Sequence, residues 1–415
     1  MPDKRRVVIT GLGAITPVGL NPEEFWQSLL AGKSGIVKIT GFDTSAYDAK
    51  IAGEIQNFKP ETWIDEREAR RMDRFAQFAL ASAIQAVKDA QLDFTKLNLQ
   101  RCGVIMGSGI GGFPEFEAQH NRLLEKGPSR VSPFFIPKLM MNAASGQIAI
   151  YFKLSGPNFM VASTCASSNH AIGMALRSIQ FGEADLIITG GVESAVTPMG
   201  LSGFAALKAL STRNDEPEKA SRPFEKNRSG FVMGEGCGLL VFEELEHARA
   251  RNAKIYAEAL GFGMNDDAHH ITAPDPEGIK PAEAMRLALN DAGVKPEQIN
   301  YINAHGTSTE LNDLTETRAI KIVFGAHARK LAISSTKSMT GHLLGGAGGI
   351  ELVATVLSVR DNKVHPTINY ETPDPLCDLD YVPNKAREMA VNIAISNTFG
   401  FGGHNATVVV GKYTC

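Results

Sequence analysis

Short apolar runs alternate along most of the chain with longer segments in which apolar residues recur every three or four positions. The runs "RCGVIMGSG", "NFMVAS", "ADLIITGG", "GCGLLVFEEL", "INYINAHG", "KLAISSTKS" and "VNIAISNTFG" have the length of buried strands. Amphipathic patterns over residues 74–90, 166–181, 281–292 and 347–360 predict helices between several of them. The first segment, "RRVVITGLGAITPVG", predicts a strand that ends in a glycine turn and feeds a helix entered at "NPEEFWQSLLAG". There Asn21 supplies a cap, Pro22 a first-turn proline, and Glu23 with Glu24 the charge that a helix N-terminus favours. Alternation of this kind predicts layered α/β sheets with helices outside. Near residues 245–256 a charged stretch precedes a new strand, and the segments C-terminal to it loosely repeat the strand–helix–strand plan of the N-terminal part. We read two similar halves, 1–255 and 256–415.

Composition narrows the function classes. A chain of 415 residues is long enough for two domains or one large α/β unit. A net charge of −3 gives no basic field for nucleic acid. The five cysteines are odd in number, dispersed and without a CxxC pair, which argues against disulfides or a cysteine zinc site and for a reducing cytosol. The N-terminal apolar run is too short for a signal peptide, and no stretch has the length of a membrane span. A cytoplasmic protein is expected, with neither membrane nor nucleic acid as partner. Gly11, Gly13 and Gly19 lack the spacing of a dinucleotide fingerprint, so they read as a turn in a core strand.

The candidate chemistry centres on Cys165 in "FMVASTCASSNHAIG", at the elbow between a short strand and a helix. Unpaired N–H groups and the positive dipole end favour a thiolate there, and they can also face an oxyanion. A buried packing cysteine fits the same segment, because free cysteine is among the most buried residue types. His305 and His342 both fall where strands run out into loops, the usual place for an α/β site. Either could equally be structural, but their wide separation excludes an HExxH zinc pair. Lys337 and Glu351 carry charge in apolar surroundings, so each needs a partner. The pair His269–His270 reads as a loop feature. The glycine-rich turn "SNTFGFGGHN" reads either as a plain hairpin or as a loop that lays Phe401 and a backbone amide against substrate.

These motifs come in a recognisable order. "VVITGLGAITPVG", "GSGIGG", "CASSNHAIG", "GGVESAVTPMG", "LSTRND", "ASRPFEKNRSGFVMGEG", "NAHGTSTELND", "STKSMTGHLLGGAGG" and "SNTFGFGGHN" resemble the β-ketoacyl-[acyl-carrier-protein] synthases, condensing enzymes of the thiolase superfamily, and within them the synthase II branch of fatty-acid synthesis. The resemblance implies a thiolase-like fold, two βαβαβαββ halves forming a layered α-β-α-β-α core. It implies Cys165 as acyl-accepting nucleophile, His305 and His342 completing a Cys-His-His triad, and Lys337 as the active-site lysine. Glu351 matches the buried glutamate, Asp313 and Glu316 the acidic residues of the lysine's network. Phe401 matches the gating phenylalanine, whose N–H joins that of Cys165 in an oxyanion hole. Thr307 and Thr309 match residues that hold the carrier's phosphopantetheine arm, and Ile110 a wall of the acyl pocket.

By the same resemblance, the reaction is decarboxylative condensation of a cysteine-bound acyl chain with malonyl-carrier protein. It needs no metal or redox cofactor, and the partners are acyl carrier protein and a second copy of the chain. In "DEREARRMDR", Arg67, Arg70, Arg71 and Arg74 share one helical face by spacing. That face reads either as a solvated mixed-charge helix or, by resemblance, as a docking surface in which Arg67, Arg70, Arg71 and Lys208 meet the acidic carrier. Ser163 and Thr164 stand where the family usually has Thr-Ala, Glu310 where proline is usual, and Leu314 where lysine is common. Rival readings are a thiolase, whose second cysteine has no counterpart at "GFGGHN", a polyketide ketosynthase, and a non-catalytic chain-length factor, which would lack Cys165. The short chain favours a free-standing enzyme over a modular one.

Overall fold

Nine consecutive buried residues, Val7–Ile15, form strand β1, and the architecture is arranged about it. The computed structural model describes residues 4–414; Cys415 lies outside them. The main sheet continues with β2 (Cys102–Gly107), β3 (Asn158–Val161), β4 (Leu186–Glu193), β5 (Gly236–Glu244), β6 (Ala257–Asp266), β7 (Tyr301–Asn303), β8 (Ala332–Ser334), β9 (Ile393–Gly400) and β10 (His404–Gly411). Outward from β1 the order is β5, β4, β2, β3; outward from β6 it is β10, β9, β7, β8. Each set therefore repeats one plan. Its first strand pairs antiparallel with its fifth, the fifth antiparallel with the fourth, and the remaining pairings are parallel. The sets meet through a short antiparallel pairing of Val7–Ile9 with Ala257–Ala259.

Helices make the other layers. α1 (Arg74–Asp89) packs on β1 and β5, and α2 (Ala143–Phe152) on β2 and β3. α3 (Ser167–Gln180) touches β2 and β4 on one side and β6 and β10 on the other. α4 (Ile279–Ala292) covers β6 and β10, with α5 (Glu310–Phe324) beside it. α6 (Ala347–Asp361) lies between β5 and β9. α3 and α6 thus form a middle layer, giving the α-β-α-β-α core that the thiolase-like reading anticipates. The sequence of α6, "AGGIELVATVLSV", is apolar nearly all round, as a helix covered on every side must be. Its Thr355 and Ser358 hydroxyls are satisfied by donating to carbonyls one turn back.

This middle layer sits close against its sheets. A Cβ on Gly238 of β5 would lie 2.3 Å from the Ile350 nitrogen of α6, so backbone meets backbone there. Both middle helices are entered by a short 3₁₀ turn, Thr164–Ala166 for α3 and Leu344–Gly346 for α6. Each turn begins with a residue in the left-handed region, Thr164 at φ +52° and Leu344 at φ +49°.

Local signals held where capping set them. Asn21 accepts a hydrogen bond from the Glu24 N–H at 2.9 Å and caps helix Pro22–Leu30. The single basic face expected over residues 67–74 does not form. The helix that starts at Glu66 ends at Ala69, and Asp73 caps a new helix, α1, by accepting from the Phe75 N–H. Arg74 consequently turns inward to a bidentate pair with Glu235, leaving Arg67, Arg70 and Arg71 outside. Among the described residues, no helix is long and apolar enough to cross a membrane.

Gly238→Ala is expected to lower stability by about 1–3 kcal/mol in denaturant unfolding, through overpacking of β5 against α6 rather than backbone strain.

Candidate active site

The C-terminal ends of parallel strands from both sets converge on one cavity of about 420 Å³. Cys165 sits in the 3₁₀ turn after β3, just before α3. His305 follows β7, Lys337 follows β8, His342 lies between Lys337 and α6, and Phe401 follows β9. Cys165, His305, His342, Thr307, Thr309, Phe401 and Lys208 all line the cavity, Lys208 from its exposed side. The reacting atoms of Cys165, His305 and His342 lie within 4.8 Å of one another. Such a set could hold a soft cation or carry out nucleophilic chemistry; its hydrogen bonds favour the second.

The proton positions are set by the partners. The Leu344 N–H donates to His342 Nδ1 at 3.1 Å, so the neutral ring carries its proton on Nε2, which faces Cys165 Sγ at 3.1 Å. Lys337 Nζ, which can only donate, approaches His305 Nδ1 at 3.3 Å and donates to the His305 carbonyl at 2.7 Å. His305 therefore also holds its proton on Nε2. Burial pushes both imidazoles well below their ordinary pKa, and the Lys337 ammonium pushes in the same direction. Two neutral rings thus present N–H donors at the thiol. Phe399 and Phe231 pack edge-on against them, with centroids 5.9 Å from His305 and 5.4 Å from His342.

The thiol itself departs from expectation. The elbow position predicts a lowered pKa, yet Cys165 is raised to about 11, because burial outweighs the Lys337 charge and the Phe401 N–H that favour the thiolate. Cys165 also precedes α3 by a 3₁₀ turn, so it is not in the helix's own first turn.

Lys337 forms a buried ion pair with Glu351 on α6. Asp313 and Glu316, expected in the lysine's network, face other partners. Glu316 accepts from the His305 and Gly306 N–H groups at 2.9 and 2.8 Å and from Asn397, and burial raises it to about 7. Asp313 accepts from the Phe224 N–H at 2.8 Å and pairs with Arg228. Their positions on α5 direct them to the 305–306 loop and to the 222–228 segment. Thr307 and Thr309 share a hydrogen bond of 2.8 Å between their hydroxyls. Ile110 does not line the cavity directly; it packs against the apolar cluster that includes the cavity-lining Phe231 and Leu344, and its N–H is directed at Glu193.

Glu193 is a site residue that sequence reasoning missed. Fully buried, it accepts from Ser108 Oγ and from the N–H groups of Gly109, Ile110, Gly111 and Gly345, joining the "GSGIGG" loop to the elbow of α6. A carboxylate ending the apolar run "DLIITGGVE" was the available signal.

Comparison with known proteins agrees with this geometry. Residues 4–248 match the model "Beta-ketoacyl synthase, N-terminal domain" and residues 256–371 its "C-terminal domain". The chain belongs to the β-ketoacyl synthase family. It is a condensing acyltransferase with the thiolase-like fold. Among its relatives, this synthase is 54% identical over 411 residues to "3-oxoacyl-[acyl-carrier-protein] synthase 2" of Synechocystis, covering 99% of each chain. It is 54% identical over 410 residues to the protein of the same name from Coxiella burnetii, again covering 99% of each. A solved type II polyketide ketosynthase, in complex with its acyl-carrier protein and bound to the hexaketide, superposes with a TM-score of 0.93 at 35% identity, covering 99% of this chain and all of that one.

Alkylation of Cys165 by iodoacetamide is expected to rise about tenfold per pH unit from neutrality, since only the thiolate reacts and its fraction grows until pH passes the thiol's pKa. Replacing both buried charges, Lys337→Met with Glu351→Gln, should move that curve to higher pH, because the ammonium acts on the thiol more strongly than the carboxylate. Mass spectrometry of the alkylated peptide reads both.

Proposed function

We propose that Cys165 is the acyl-accepting nucleophile of a decarboxylative condensation that extends an acyl chain in fatty-acid biosynthesis. The observation that carries this is the pair of neutral imidazoles whose Nε2–H donors are set around the thiol. In the first step the Cys165 sulfur attacks the acyl thioester on acyl carrier protein. The carrier's thiol leaves with the proton, and the acyl group stays on Cys165. Malonyl-carrier protein then enters, Thr307 and Thr309 hydrogen-bonding its phosphopantetheine arm within the cavity. The malonyl carboxylate departs as CO₂, leaving its electron pair as an enolate. His305 and His342 donate to the enolate oxygen, which explains why both rings are kept neutral and why one would not suffice. The enolate carbon attacks the Cys165 thioester, and the N–H groups of Cys165 and Phe401 hold the tetrahedral oxyanion. Collapse releases the Cys165 sulfur, which regains a proton, and β-ketoacyl-carrier protein departs. The first half, 1–255, supplies the nucleophile and the second, 256–415, the histidines.

Identity to the fatty-acid relatives, at 54%, exceeds that to the polyketide ketosynthase, at 35%, which supports fatty-acid elongation over a polyketide role. The retained Cys165 argues against a chain-length factor. Free thiols at the four described cysteines suit a cytoplasmic home. β3 is an exposed sheet edge, and Phe134, Ile136, Ile150, Tyr151 and Phe159 are exposed around that part of the chain, which favours a second copy covering it.

Arg67, Arg70 and Arg71 are exposed, and Lys208 stands beside the cavity. Arg70 pairs with Glu66 and Arg71 with Glu68 on the surface. Surface pairs of this kind are worth about 0.3–0.5 kcal/mol. An acidic carrier can therefore displace the glutamates at little cost.

Incubation with acyl carrier proteins bearing different chains should place an acyl adduct on Cys165, detected by mass spectrometry. Cys165→Ala should acquire none, and an equal adduct on that variant would refute the mechanism. Charge reversal at Arg70 and Arg71 should raise the KM for carrier-bound substrate severalfold while sparing Cys165 alkylation, so unchanged carrier kinetics would remove the docking role.

A further inference from the structure

Thr164 holds a backbone conformation that β-branched residues rarely adopt, at φ +52°. Such outliers persist where the surroundings impose them. Its hydroxyl donates to the Phe401 carbonyl at 2.8 Å, across 237 residues of sequence. On the other side of the same peptide, the Gly402 N–H donates to the Ile271 carbonyl at 2.7 Å. Both polar groups of the Phe401–Gly402 peptide are therefore committed, one to the nucleophile's elbow and one to the 266–272 loop. Turning that peptide breaks both bonds. Gly400 completes the fit: a Cβ there would stand 2.2 Å from Thr164 Oγ1.

We propose that Thr164 is a positioning residue, a latch whose hydroxyl holds the Phe401 loop closed over Cys165 with the Phe401 N–H aimed at the sulfur. Two strong local choices support this. Threonine's branched Cβ restricts χ1, so the hydroxyl is aimed before the loop closes. The Phe401 N–H faces the thiol, which requires the neighbouring peptide to be fixed. A side chain without a hydroxyl at this position would offer no such bond. The expected consequence is a loop that opens less readily and an oxyanion donor that is better fixed once the chain is loaded. This inference rests on reading Cys165 as the acyl-accepting thiol.

Thr164→Val keeps the branched shape and removes only the donor, while Thr164→Ser keeps the donor. In Thr164→Val, hydrogen exchange of the 400–403 amides should quicken about tenfold as the loop opens locally, with the thermal midpoint unchanged. The kcat for condensation should fall about tenfold with little change in KM, as for a weakened oxyanion donor. Thr164→Ser should restore both to near wild type. Wild-type exchange and kcat in Thr164→Val would overturn the proposal. Equal impairment in Thr164→Ser would overturn it too, since methyl packing would then be responsible. Failure of wild type to acquire the acyl adduct at Cys165 would instead refute the underlying reading.

Discussion

Lys337 and Glu351 are both sealed from solvent, and each is tolerable there because of the other. Removing one partner of such a pair strands a charge in the interior, typically at about 3–5 kcal/mol. The site's chemistry hangs on this contact. Glu351 projects from the middle-layer helix α6, so the ammonium is held where it meets both the carbonyl and Nδ1 of His305. That single placement fixes the tautomer of one imidazole, discourages protonation of both, and favours negative charge on the sulfur.

Burial and charge pull the thiol in opposite directions, and burial wins at rest. A cysteine stored as a thiol resists stray alkylation and oxidation. The same enclosed setting strengthens every hydrogen bond that forms once charge develops on substrate oxygens. A largely apolar pocket with a few placed donors therefore costs some resting nucleophilicity and strengthens the hydrogen bonds open to developing negative charge.

Much of this was legible in the sequence, for reasons that differ by residue. Strands such as "ADLIITGG" and the helix "GGIELVATVLSV" are written in local apolar pattern, which burial on both faces demands. Cys165 and His305 follow strands closely, and His342 lies in the segment between β8 and α6, places that the ordered motifs mark. Long-range wiring was not legible. Asp313 and Glu316 lie close in sequence to His305 yet serve backbone N–H groups and Arg228, because α5 sets their direction. The arginine spacing 67–74 concealed a helix break at Asp73, a cap whose acceptor role depends on where α1 starts. The raised thiol reflects enclosure by segments hundreds of residues apart, which no local window contains. Ile110 reaches its place through Glu193, which accepts its N–H, and through the apolar cluster that contains Leu344, contacts that no motif spells out.

The two left-handed elbows carry a last consequence. In each half the chain enters its middle helix through one such turn, and the central residues of those turns are Cys165 and Gly345. By connectivity the positions are twins, but they are not interchangeable. A side chain at 345 would strike the Gly109 nitrogen, 2.1 Å from where its Cβ would stand. One twin faces open space and the other faces backbone. A fold that repeats its strands thereby has room for a side chain at only one of the two elbows, and the other supplies the Gly345 N–H that anchors Glu193. The asymmetry of the chemistry is imposed by packing before any catalytic residue is chosen.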